Sequence, residues 1–453
     1  MGRRKNKSMN KQLLPKFHIT GEKGWINDPN GLVVFQGEYH AFFQYYPHDV
    51  KWGPMHWGHV KSRDLITWET LPVALCPDEQ DGGCFSGSAI VWQEKLWLMY
   101  TSFNENEGGE SIRQLQALAS SADGVTFEKH GIVIGEEDLP SEYCPWDFRD
   151  PSVFRRGDTF YCMTAARKRG AGGRLLLFSS PDLFHWTFCC DLFDRDCDGS
   201  MTECPSWSDE LNLLLFSEQF RPHEGGKYCN VHSCLYQFGT LENAGFVPSA
   251  EEDILDYGFD IYATQIFSGA PVMMGWLSMW DRSDPLAKFG FAGQLTLPRV
   301  LSVKNGKLRQ KPVYRAEEVR KEENVSSLFD TLVTGAIKVE AENLSAFSIK
   351  LRKKGNSFAS FALVENEWIF DRSQAGEKIE GVEKDEDSLA GIRRMPKENT
   401  QKTEIEIVSD KYSLEIFVNG ISLTSVVCPE EDADGVELSL TAEKSTYTKY
   451  LVK

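Results

Sequence analysis

The feature that most constrains this chain is an internal repeat. Ser62-Arg63-Asp64-Leu65-Ile66-Thr67-Trp68 is matched by Ser121-Ala122-Asp123-Gly124-Val125-Thr126-Phe127 and by Ser180-Pro181-Asp182-Leu183-Phe184-His185-Trp186, an offset of 59 residues both times. A fixed period of this size is the mark of one supersecondary unit stacked several times. The surrounding sequence has short β-type runs and almost no sustained 3.6-residue periodicity, so the unit is a β-unit. Five runs read as strand, turn, strand: Gly31–Tyr46, Ser86–Ser102, Pro151–Ala165, Pro205–Phe220 and Tyr262–Trp280. They open near Asp28, Ser86, Asp150, Glu203 and Asp260. The spacing predicts a five-bladed β-propeller over residues 17–310.

In a propeller the innermost strand of each blade runs along a central channel, so equivalent ends of these strands converge at one mouth. Asp28, Asp150 and Glu203 each stand in a polar turn just before a β-rich run, with a proline one or two residues on. The fold therefore sets them around one pocket. Like charges gathered this way do not stabilise a fold, and chemistry is the better explanation.

The pattern changes after Leu297-Pro298-Arg299. Residues 311–328 are charged, contain Pro312 and read as a linker. From residue 329 to 453 apolar and polar residues alternate in short runs, as in Ala336–Ala341, Phe347–Leu351 and Leu414–Val418, with turns such as Asn419-Gly420. This predicts a C-terminal β-sandwich, making the whole chain all-β. The charge run Lys378–Glu386 reads as a solvated loop. Residues 1–16, with six Lys or Arg, read as a disordered basic tail; no apolar h-region follows, so a secretory signal is not expected.

A chain of 453 residues exceeds one ordinary core, consistent with two domains. Its formal charge of −18 argues against nucleic acid or an anionic membrane as partner. No apolar run is long enough to span a bilayer. Eleven cysteines, odd in number and scattered, fit free thiols in a reducing cytoplasm. No metal or cofactor is expected: His56 and His59 lack an acidic ligand at metal spacing, and there is no phosphate loop or nucleophile elbow.

Paired carboxyl groups suit glycosidic hydrolysis, one attacking or activating water and the other protonating the leaving oxygen. Asp28, flanked by Asn27 and Asn30, is expected to be held as an anion by hydrogen bonds. Glu203, crowded by other acids, suits the general acid/base. Asp150, beside Arg149, could grip substrate hydroxyls and stabilise developing positive charge. Gln44, Trp52, His56, Trp57 and Phe85-Ser86 are further sugar-contacting candidates, with core packing the alternative for each aromatic. Arg167-Lys168-Arg169 is a phosphate-binding candidate, with a solvated loop as the alternative.

Together the motifs resemble glycoside hydrolase family 32, the invertases, fructan hydrolases and sucrose-6-phosphate hydrolases. The matching segments are Trp25–Gly31, Pro54–His59, Phe85–Ser88, Arg149–Pro151, Glu203-Cys204, Asp256–Ala263 and Thr296–Arg299, with Asp371-Arg372-Ser373 and Leu414–Phe417 beyond them. The resemblance runs from about Phe17 to the C-terminus. It implies a propeller followed by a sandwich and a retaining double displacement on a terminal β-fructofuranosyl unit. By resemblance Asp28 is the nucleophile, Glu203 the acid/base and Asp150 the transition-state stabiliser, while Asn27, Gln44, Trp52, Phe85, Ser86 and Arg149 line the fructose subsite. The expected partner is a small sugar (sucrose, its 6-phosphate or a short fructan), with a homodimer through the sandwich. Fructosyl transfer, a related propeller glycosidase activity and a non-catalytic carbohydrate-binding propeller are the alternative functions.

Overall fold

The computed structural model describes residues 14–105, 112–192, 200–242 and 245–452; most of the basic stretch 1–16 lies outside them. Among the described residues, five antiparallel sheets form successive propeller blades. Their inner strands are Gly24–Phe35, Gly83–Trp92, Tyr143–Arg156, Thr202–Ser208 and Tyr262–Ile266, for blades I to V. The ring closes where Phe291-Ala292 pairs in parallel with Gly24-Trp25, joining blade V to blade I. At the channel's far end a cavity of about 510 Å³ is lined by all five inner strands, through Val34, Ser88, Ser152, Ser206 and Gln265 among others.

The 59-residue repeat is the outer turn of blades I to III. In each, the third strand ends at the repeat's serine (Ser62, Ser121, Ser180) and the fourth begins at Glu69, Glu128 or Thr187. The aspartate ties the turn: Asp64 Oδ1 accepts from the backbone N–H of Ile66 and Thr67 at 2.9 and 2.8 Å. Asp123 and Asp182 do the same in the next two blades. The N–H donors lower the pKa of Asp123 to about 2, and at Asp182, against the opposition of burial, the His185 side chain, 2.8 Å away, joins them to lower it to about 2.

The C-terminal domain is a sandwich of two six-stranded sheets. Inward residues at alternate positions, such as Ile337, Val339, Ile349, Leu351, Phe361, Ile405, Ile407 and Leu438, fill the space between them. Asn419 and Gly420 have φ of 51° and 82°, the left-handed pair of a tight hairpin turn.

Two polar stretches differ from expectation. Residues 311–328 are not a free linker: Lys307–Pro312 is the last strand of blade V, Ala316–Glu323 pairs with Lys444–Val452, and Ser327–Thr331 pairs with Gly435–Thr441. Charge along an edge strand blunts it against foreign pairing without preventing native pairing. The run Lys378–Glu386 is not wholly solvated either. Glu383 is buried between Arg282 and Arg393, at 2.7 and 3.0 Å.

Candidate active site

Each inner strand is interrupted where its ladder slips. The slips fall between Ile26 and Pro29, Phe85 and Gly87, Arg149 and Ser152, Glu203 and Ser206, and Tyr262 and Gln265. Asp150, Cys204 and Ala263, at the slips of blades III to V, have φ of 62°, 49° and 51°. At Gly87 a Cβ would meet the Met99 carbonyl at 2.1 Å, so only glycine fits. A regular strand sends neighbouring side chains to opposite faces, whereas a bulge re-aims them. That is why Arg149 and Asp150, adjacent in sequence, both reach blade IV.

The carboxylates meet at this ring of bulges. Asp28 Oδ2 accepts from Ser86 Oγ at 2.6 Å, and its Oδ1 accepts from Asn27 Nδ2 at 3.0 Å. Trp25 Nε1 fixes Asn27 by donating to its Oδ1 at 2.8 Å. Asp150 is buried deeper; its Oδ2 accepts from the Cys204 N–H at 3.0 Å, and its own N–H donates to Thr101 Oγ1 at 2.9 Å. Cys204 Sγ lies 3.5 Å from Asp150 and 3.8 Å from Asp28, between the two. Glu203 Oε1 accepts from Arg149 Nη2 at 2.8 Å, and Oε2 accepts from the Tyr262 hydroxyl at 2.5 Å. Arg149 is held in turn by Gln114 and Asp147.

Burial sets the electrostatics. It raises the pKa of Asp28, and the Ser86 and Asn27 donors do not offset it while Glu203 adds repulsion. Both donors expected to hold Asp28 as an anion are present, and burial, which the sequence does not display, is the larger influence on its pKa. Asp150 is raised to about 7 by burial, with Arg149 opposing and Glu203 and Asp28 reinforcing.

Of the predicted site residues, Asp28, Asn27, Ser86, Asp150, Arg149 and Glu203 stand within this cluster. Phe85 stacks on Phe103 at 4.5 Å, and Trp52, 46% exposed, meets Phe85 edge-on at 5.7 Å. Gln44 is buried between blades I and II and donates to the Cys84 carbonyl at 3.1 Å. His59 packs away from the site, paired with His40 at 2.9 Å. Asp260, expected to open blade V, points elsewhere: it is buried between Arg282 and Arg372, both at 2.7 Å. Tyr262 is the blade V residue that reaches the cluster. Sequence reasoning missed it, although it stands only two residues beyond Asp260; Thr101, Gln114 and Asp147 gave no signal.

This fold and site have known counterparts. Residues 18–312 match the glycosyl hydrolases family 32 N-terminal domain and residues 305–452 the family 32 C-terminal domain. The chain belongs to glycoside hydrolase family 32. It is similar to the sucrose-6-phosphate hydrolase of Zymomonas mobilis, 34% identical over 94% of this chain and 89% of that protein. It is also similar to the raffinose invertase of Escherichia coli, 35% identical over 94% and 92%. Among solved structures, a mutant of a Bombyx mori family 32 β-fructofuranosidase, in complex with sucrose, superposes with a TM-score of 0.85 at 29% identity, covering 98% of this chain and 95% of that one.

Proposed function

We propose that this glycoside hydrolase is a retaining β-fructofuranosidase acting on sucrose, sucrose 6-phosphate or a short fructo-oligosaccharide. The observation that carries the reading is the single hydrogen-bonded cluster joining Asp28, Asp150 and Glu203 at one channel mouth. Asp28 attacks the anomeric carbon of the fructosyl unit while Glu203 gives its proton to the departing glycosidic oxygen. The C–O bond to the leaving sugar breaks as the bond to Asp28 forms. Water then gives its proton to Glu203, attacks the same carbon and releases Asp28. Asp150 binds fructose hydroxyls and stabilises positive charge on the ring. Asn27, Gln44, Trp52, Phe85, Ser86 and Arg149 form the fructose subsite.

The relatives named above support the substrate range. A phosphate on the leaving sugar would meet Arg167-Lys168-Arg169, at the mouth-side end of blade III, where the Arg169 guanidinium lies 4.7 Å from the Trp146 ring. The ten described cysteines are free, in keeping with a cytoplasmic enzyme. Exposed Val319 and Phe329 on outer sandwich strands offer a dimer contact, which light scattering tests. Fructose release from sucrose, sucrose 6-phosphate and kestose measures the specificity, and Asp28→Ala is expected to abolish it with the fold intact. Full retained activity in that variant would refute the nucleophile assignment. Oligosaccharides accumulating from concentrated sucrose would shift the reading to fructosyl transfer.

A further inference from the structure

Phe220 is an apolar ring held in water at a cost. It follows strand Leu213–Gln219, whose downstream end lies at the carboxylate mouth. The residue is 61% exposed and has a left-handed φ of 55°, unfavourable for a side chain with a Cβ. Its backbone N–H donates to the Val231 carbonyl at 3.0 Å and approaches His232 Nδ1 at 3.3 Å, which fixes the position. The ring then meets His232 edge-on at 4.8 Å. His232 is buried and lies 5.3 Å from the Tyr262 ring, whose hydroxyl donates to Glu203. A continuous path of packed rings thus runs from Glu203 to the exposed phenyl.

We infer that Phe220 is the platform for the leaving sugar, stacking on the apolar C–H face of a hexopyranosyl ring. The inference rests on the fructosidase reading, which makes the Glu203 side of the pocket the leaving-group side. Deep fructose contacts lie on Asp28, Asp150 and Arg149, so Phe220 affects only substrates whose leaving group carries a ring.

The test compares kcat/KM on sucrose with kcat/KM on methyl β-D-fructofuranoside, whose leaving group is methanol. In Phe220→Ala the sucrose value is expected to fall about tenfold, on the scale of one aromatic stacking contact. The methyl fructoside value is expected to stay unchanged, and Phe220→Trp to keep the wild-type ratio. Parallel loss on both substrates in Phe220→Ala would overturn the platform in favour of a structural role, and loss on neither would overturn it outright. If the wild type cleaved neither substrate, the fructosidase reading itself would fall, and the platform with it.

Discussion

His18 is a fully buried charged link between the domains, and its contribution can be worked out. Its Nδ1 lies 3.0 Å from Asp410 Oδ2 and its Nε2 lies 2.8 Å from Glu415 Oε1, all three side chains being fully buried. Burial alone would lower the imidazole pKa, but the two carboxylates more than offset it and raise it from 6.5 to about 9. A group whose folded pKa lies above its unfolded one gives its full stabilisation below the unfolded value and loses it as pH rises through the folded value. The contribution is about 3 kcal/mol at pH 6, about 2 kcal/mol at pH 7.5 and less than about 1 kcal/mol at pH 9. The partners do not confuse this window. Asp410 and Glu415 are lowered against the opposition of burial, Asp410 mainly by its hydrogen bond with His18 and Glu415 by Arg299, so their stabilisation is lost only on acidification. In His18→Gln, Glu415 keeps Arg299 at 2.7 Å and Asp410 keeps the N–H groups of Lys16 and Phe17. Urea unfolding of wild type and His18→Gln at these three pH values should show a gap that closes steadily toward pH 9. A gap that is constant or widens with pH would refute a charged imidazole at the junction.

Three further outcomes concern the site. Glu203→Gln should slow substrates with poor leaving groups most, and equal losses across leaving groups, measured on a series of aryl fructosides, would contradict its acid role. With Asp150 raised to about 7 by burial and required as an anion, kcat/KM on sucrose should climb with pH through that value; in Arg149→Ala the opposing cation is gone, so the rise should move to higher pH. Tyr262→Phe removes a donor to a charged carboxylate, an interaction on the order of 2 kcal/mol. It should lower kcat on sucrose tenfold or more while leaving the urea unfolding midpoint within a few tenths of the wild-type value, and an unchanged kcat would refute a role for this contact.

The repeat and the three carboxylates were legible because both rest on local chemistry. An aspartate that ties a turn must stand two and three residues before the N–H groups it accepts, so Asp64, Asp123 and Asp182 leave a fixed pattern. Carboxylates beside proline and glycine turns at equivalent strand ends leave another. The bulges were not legible, since a slip of register depends on the partner strand. This is why Tyr262 was missed: the run Tyr262–Trp280 was legible, but only the slip between Tyr262 and Gln265 shows that its first side chain is turned to Glu203. The raised pKa of Asp28 was hidden for a related reason, because the sequence displays its donors but not its burial. Residues 311–328 read as a linker and 378–386 as a solvated loop because polar composition looks the same on a connecting segment, an edge strand and a domain junction.

That junction bears on the site. Lys384, from the charge run, donates to the carbonyls of Arg221 and Tyr228, in the blade IV loop that carries Phe220. Glu383 holds Arg282, which also binds Asp260, two residues before Tyr262. Arg372 reaches Asp260 from the sandwich as well. The sandwich therefore braces blades IV and V, which supply Glu203 and its tyrosine partner, as well as the His18 segment that leads into blade I. On the proposed acid/base role of Glu203, these contacts from the sandwich hold the side of the pocket that exchanges one proton twice per turnover.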